Sequence, residues 1–103
     1  MNEELTLRLY AEFPYLYRGH TKPRSESAMG WGFECGDGWY PRLRELSEKL
    51  TLHLKKRSDL VFEVTQVKSK FGILRYRARG GDYVTDRLIA AACEQATFTS
   101  ELP

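Results

Sequence analysis

Five cations, Lys68, Lys70, Arg75, Arg77 and Arg79, crowd the stretch from Gln66 to Arg79. Their chemistry is anion recognition: the guanidinium fork matches carboxylate or phosphate in a bidentate way, and the ammonium acts as a point charge. With Phe71-Gly72 as a two-residue turn, Lys70 stands opposite Ile73, Lys68 opposite Arg75, Gln66 opposite Arg77 and Val64 opposite Arg79. The other face then carries Thr65, Val67, Leu74, Tyr76 and Ala78, a core-facing set. Like charges placed directly opposite one another are mildly destabilising. A sequence that keeps Lys68, Lys70, Arg75, Arg77 and Arg79 together therefore either meets an anionic surface or has acids nearby to balance them, such as Glu48, Asp59 or Glu63.

Other residue types invite chemistry and carry it less well. Gly30, Gly32, Gly36 and Gly38 suggest a phosphate loop, but the spacing is neither G-x-G-x-x-G nor the Walker pattern. Asp37 also places a negative charge where an anion would sit. A junction needing positive φ and close backbone approach explains these glycines better. Cys35 precedes a helix start, which can activate a thiol, yet it alternates with Trp31 and Phe33 on what reads as a core face. His53 flanks a leucine stripe, and nothing in the spacing fixes His20 near Cys35. Glu34 and Asp37 could pair for acid–base work, but Asp37 is better used as a helix cap. No catalytic residue, metal ligand or cofactor is assigned from the residues.

The elements that must position these groups follow from periodicity. Asn2 caps a first helix with Glu3 and Glu4 in its first turn, and Pro14 stops it near Glu12. Gly19 to Gly30 reads as a long polar loop, the kind that is functional or mobile. Trp31, Phe33 and Cys35 alternate as a short strand. Trp39, Leu43, Leu46, Leu50 and Leu54 recur at helical spacing with Pro41 in the first turn and Asp37 as cap; Leu52 falls off this stripe. Leu60–Ser69 and Ile73–Arg79 form an antiparallel hairpin. Asp82 caps a last helix with a stripe at Leu88, Ala91 or Ala92, and Gln95 or Ala96. The expected fold is α+β: a small antiparallel sheet, hairpin plus one short strand, packed on one face by about three helices.

Length and composition bound the rest. The chain has 103 residues, which fits a single domain over 1–103. Sixteen basic against fourteen acidic residues leave a net charge of +2, so an electrostatic argument must rest on local clustering. Two cysteines build neither a disulfide framework nor a four-cysteine zinc site. Met1 to Leu9 lacks the basic start and apolar core of a signal peptide, and no apolar run approaches a membrane span. A reduced cytoplasmic protein with no membrane contact is the expectation.

Three blocks carry a resemblance: Tyr15-Leu-Tyr-Arg18, then Gly30-Trp-Gly-Phe-Glu-Cys-Gly-Asp-Gly-Trp-Tyr-Pro41, then Gln66-Val-Lys-Ser-Lys-Phe-Gly-Ile-Leu-Arg-Tyr76. Their order and content resemble a family of small proteins of tailed bacteriophages and prophages, with G-F-E-C-G-D-G-W-[FY] followed by Q-V-K-x-K-F-G-x-L-R-[FY]. Relatives close with a C-E-x-C-G segment like half a metal knuckle. Here the matching place is Ser100-Glu-Leu-Pro103, so the resemblance brings no metal site to this chain. It implies a phage origin and no established activity. Small phage accessory proteins often bind and blunt a host system. The expected function is accordingly non-enzymatic: binding of a host protein or protein–nucleic acid complex, as in an anti-CRISPR-like inhibitor of host defence. The alternative is direct nucleic-acid binding through the hairpin, with Phe71 and Tyr76 as stacking groups.

Overall fold

The leucine stripe organises the molecule. In the computed structural model, which describes residues 1–102, it forms the long helix α2 (Tyr40–Lys56), with Pro41 in its first turn. Trp39, Leu43, Leu46, Leu50 and Leu54 are all buried, whereas Leu52, off the stripe, is exposed. The first helix α1 (Glu3–Glu12) is capped by Asn2, whose side chain accepts from the Leu5 N–H at 2.9 Å, and it ends ahead of Pro14. The last helix α3 (Tyr83–Ala96) opens with a capping box: Asp82 accepts from Thr85 N–H, and the Thr85 hydroxyl accepts from Asp82 N–H. Such a box satisfies two otherwise orphaned donors.

The sheet contains β1 (Phe33–Glu34), β2 (Glu63–Lys70) and β3 (Ile73–Arg79) in that spatial order. The α+β class is as expected, but the sheet is mixed. β2 and β3 form the antiparallel hairpin, while β1 runs parallel to β2, pairing Phe33 with Val67 and Glu34 with Lys68. The reason is the connection: the chain passes from β1 to β2 through α2, and a helical crossover returns the next strand in the same direction. The first strand is also shorter than the alternation of Trp31, Phe33 and Cys35 suggests. Gly32 takes φ +80°, which breaks the extended run and leaves Trp31 in a 3-10 turn (Met29–Trp31), exposed.

One core lies between the helices and the sheet. Leu9 and Phe13 of the N-terminal segment, the leucines of α2, and Ala92 and Ala96 of α3 meet Phe33, Val64, Val67, Leu74 and Tyr76 from the strands. The small alanines let α3 approach closely. Three hydroxyls cross this core in a chain: Tyr17 with Tyr76 at 2.8 Å, Tyr17 with Ser47 at 2.7 Å, and Ser47 onto the Leu43 carbonyl. Each buried hydroxyl thereby has the partner its desolvation requires. Burial pushes the Tyr17 phenol up to about 12.

The Gly19–Gly30 loop is tied down rather than free. Val64 N–H donates to Leu16 O, and Ala28 N–H donates to Thr65 O at 2.8 Å, so the segments on either side lie along β2. A 3-10 turn spans Arg18–Thr21. No helix among the described residues is long and apolar enough to cross a membrane.

Candidate functional site

The hairpin turn fixes the basic face. Phe71 and Gly72 both take positive φ, 56° and 77°, the backbone of a two-residue I′ turn that matches the twist of the flanking strands. This sets Lys70 opposite Ile73, Lys68 opposite Arg75 and Gln66 opposite Arg77, the register the sequence predicts. Val67, Leu74 and Tyr76 on the reverse side are buried. Lys70, Arg75 and Arg77 are exposed and Lys68 is half-buried. None of the ion pairs among the described residues includes Lys68, Lys70, Arg75 or Arg77. The one carboxylate beside them in register is Glu34, across from Lys68.

The expected pairing of Val64 with Arg79 is wrong. A bulge between Val64 and Gln66 shifts the register, so Val64 pairs with Ala78 and Glu63 with Arg79. The extra residue, Thr65, turns Val64 into the core and sets Glu63 on the opposite side of the strand, where the Gly19–Gly30 loop buries it. Glu63 then becomes the hub of a cluster. Its side chain, 5% exposed, meets Lys22 Nζ at 2.8 Å, Arg79 at 3.5 Å and Arg18 at 3.9 Å. Arg79 also donates to Glu26 O at 3.0 Å. The fifth cation of the hairpin is thus committed to the loop, and the free basic face consists of Lys68, Lys70, Arg75 and Arg77. Of the acids expected to balance the face, Glu48 binds Arg44 and Asp59 binds Arg57; Glu63 alone reaches a hairpin cation.

The Glu63 cluster makes stability depend on pH. Burial by itself would raise the carboxyl, but the Lys22 hydrogen bond and the charges of Lys22, Arg79 and Arg18 outweigh it and hold it below the ordinary 4.5. A folded value below the unfolded one adds stability that is complete above the unfolded value and fades as pH falls through the folded one. The urea midpoint of the wild type is expected to drop more steeply than that of Glu63→Gln as pH is lowered from about 5 to about 3. Parallel curves for the two proteins would show that the cluster carries no linkage.

The remaining candidates have structural partners. Tyr76 is buried and its hydroxyl is bound to Tyr17, which removes it as a stacking group; Phe71 is open to solvent. Cys35 is buried, and burial pushes its thiol up to about 11, so it is no poised nucleophile. His53 Nε2 lies 2.8 Å from Asp82 Oδ2, which Arg57 shares at 3.1 Å. His20 stacks on Tyr10 with ring centroids 4.2 Å apart. No group of three or more His, Cys, Asp or Glu side chains among the described residues is placed to hold a metal ion.

The glycine junction is a seat for the segment after α3. Asp37 does not cap α2; its carboxylate accepts from the backbone and side-chain amides of Asn2 at 2.7 and 3.0 Å. Gly38 N–H donates to Glu101 O at 2.7 Å, and Gly36 N–H donates to the Glu101 carboxylate at 2.9 Å. That carboxylate also accepts from the Ser69 hydroxyl at 2.6 Å. A Cβ on Gly36 would lie 2.0 Å from Glu101 O, and one on Gly38 2.4 Å from Leu102 O. Close backbone approach is therefore what these two glycines provide; positive φ occurs only at Gly32 in this junction.

Sequence reasoning missed Trp31 and Arg24. The Arg24 guanidinium lies 3.4 Å from the centroid of the Trp31 ring. The alternation with Phe33 had placed that ring inside, and Gly32 was the signal against it.

Comparison with known proteins finds no matching family model, no matching curated protein and no matching solved structure.

Proposed function

We propose that the protein acts by binding, with the outer face of its hairpin docked on an anionic surface of a host macromolecule. The observation that carries this reading is the set Lys68, Lys70, Arg75 and Arg77, gathered on one side of a rigid two-stranded ribbon without ion-pair partners among the described residues. Four cations left unneutralised on one side give a local positive field that the net charge of +2 does not reveal. The ribbon is rigid because its reverse side is core.

In the phage setting that the three sequence blocks imply, the partner is a host protein or a protein–nucleic acid complex in the cytoplasm. Occupying that anionic surface antagonises a defence system, as an anti-CRISPR-like inhibitor would. Heparin serves as a probe of the face before the partner is in hand. Retention on heparin should be strong at about 50 mM salt and largely lost by about 200 mM, because exposed charges are screened and counterions compete. A protein that passes through the matrix at low salt does not present such a face.

A further inference from the structure

We infer that the anionic partner presents single-stranded nucleic acid, with a base stacked on Trp31 at the edge of the basic face. This rests on the docking face proposed above and names the class of molecule that fits it. Trp31 is 56% exposed, an unusual position for the largest side chain in a small domain. Its place relative to the cations is set by the backbone. Ala28 N–H bonds Thr65 O, and Phe33 pairs with Val67, so residues 28–33 run beside the β2 edge on either side of Gln66. Gln66 faces Arg77 on the next strand. Trp31 sits in the 3-10 turn between these two anchor points, on the β1 side of the sheet, with β2 between it and the strand that carries Arg77.

The chemistry of this border is specific. Arg24 covers one side of the indole, which holds the ring and adds positive charge to it. Beside the ring opens a hollow of about 280 Å³, lined by Met1, Glu3, Thr6, Tyr10, Gly30 and Gly32 as well as Trp31. Arg24 is not among the residues that line it. At the far end of β2 the hairpin tip presents Phe71, 92% exposed, next to Lys70. Cations flanked by exposed aromatic faces suit a strand with unpaired bases: phosphates track the charges and bases stack without regard to sequence. A duplex keeps its bases stacked on each other and has none free to lie on the ring.

The two tryptophans allow a direct test. Trp39 is 1% exposed and its indole N–H is bound to Thr99 O, so fluorescence quenching by a ligand at the surface reports Trp31. Oligo(dT) of about 12 nucleotides should quench the emission on binding. Trp31→Ala should abolish the quenching and weaken binding about tenfold, equal to about 1.4 kcal/mol, with an unchanged thermal midpoint. Trp31→Phe, which keeps a stacking ring, should recover most of the affinity. Oligo(dT) binding that is unquenched and indifferent to Trp31→Ala overturns the inference, as does equal affinity for the matching duplex. In either of those cases heparin retention persists and the docking face stands. A protein that binds neither heparin nor oligo(dT) at low salt removes both.

Discussion

Trp39→Ala is expected to lower the unfolding free energy by about 3–5 kcal/mol, the cost of emptying a large aromatic site in a packed core. Trp39 begins the stripe of α2 and is 1% exposed. Its indole N–H also donates to Thr99 O at 2.7 Å, and Arg42 reaches the Thr99 hydroxyl at 3.2 Å. Removing the ring therefore opens a void under the helix and releases the segment that runs over Gly36 and Gly38. A domain of ordinary stability has about 5–15 kcal/mol in total, so the variant should be partly unfolded at modest urea concentrations. Trp39→Phe separates the two contributions. It keeps an aromatic ring but leaves the Thr99 carbonyl without its donor, for an expected loss of about 1–3 kcal/mol. Equilibrium urea unfolding measures both. A loss below about 1 kcal/mol for Trp39→Ala would mean that the junction is not held through the indole.

Arg75→Glu combined with Arg77→Glu is expected to weaken heparin binding by about a hundredfold or more at about 0.1 M salt, because attraction becomes like-charge repulsion at the centre of the face. The fold should tolerate the change. Both side chains are exposed, and a glutamate at position 75 faces Lys68, which replaces an unfavourable cross-strand pair by a favourable one. Unfolding stability should stay within about 0.5 kcal/mol of wild type. The control is Lys55→Glu with Lys56→Glu at the exposed end of α2, which alters net charge equally. If the binding is local, this control keeps its affinity to within about threefold. Equal losses in the two variants would show that the probe senses net charge and not the sheet face.

How far the sequence could be read depends on which interactions were local. The α2 stripe and the Asp82 cap were legible because helical spacing and capping act within a few residues. The register of Lys68 with Arg75 and of Gln66 with Arg77 was legible for the same reason: it is set by the Phe71-Gly72 turn between them. What failed was decided at long range. The bulge at Thr65 places Glu63 against Arg18 and Lys22, cations more than forty residues earlier in the chain. Asp37 met Asn2 and not its own helix, and the crossover through α2 made β1 parallel. Gly36 and Gly38 answer to the backbone of residues 100–102, which no local pattern announces. Within the candidate site, Arg79 left the face for Glu63, and Trp31 joined its border because Gly32 turned the strand aside.

The most direct test of the docking face is a residue-by-residue map of where a polyanion touches the protein. Amide chemical shifts followed during titration with a short heparin oligosaccharide should move at Gln66–Ser69 and Arg75–Arg77. The amides around His53, Arg57 and Asp82, a charged cluster whose members are bound to one another, should stay in place. Shifts concentrated at Lys55–Arg57, or spread evenly over every exposed cation, would contradict the assignment of function to the hairpin.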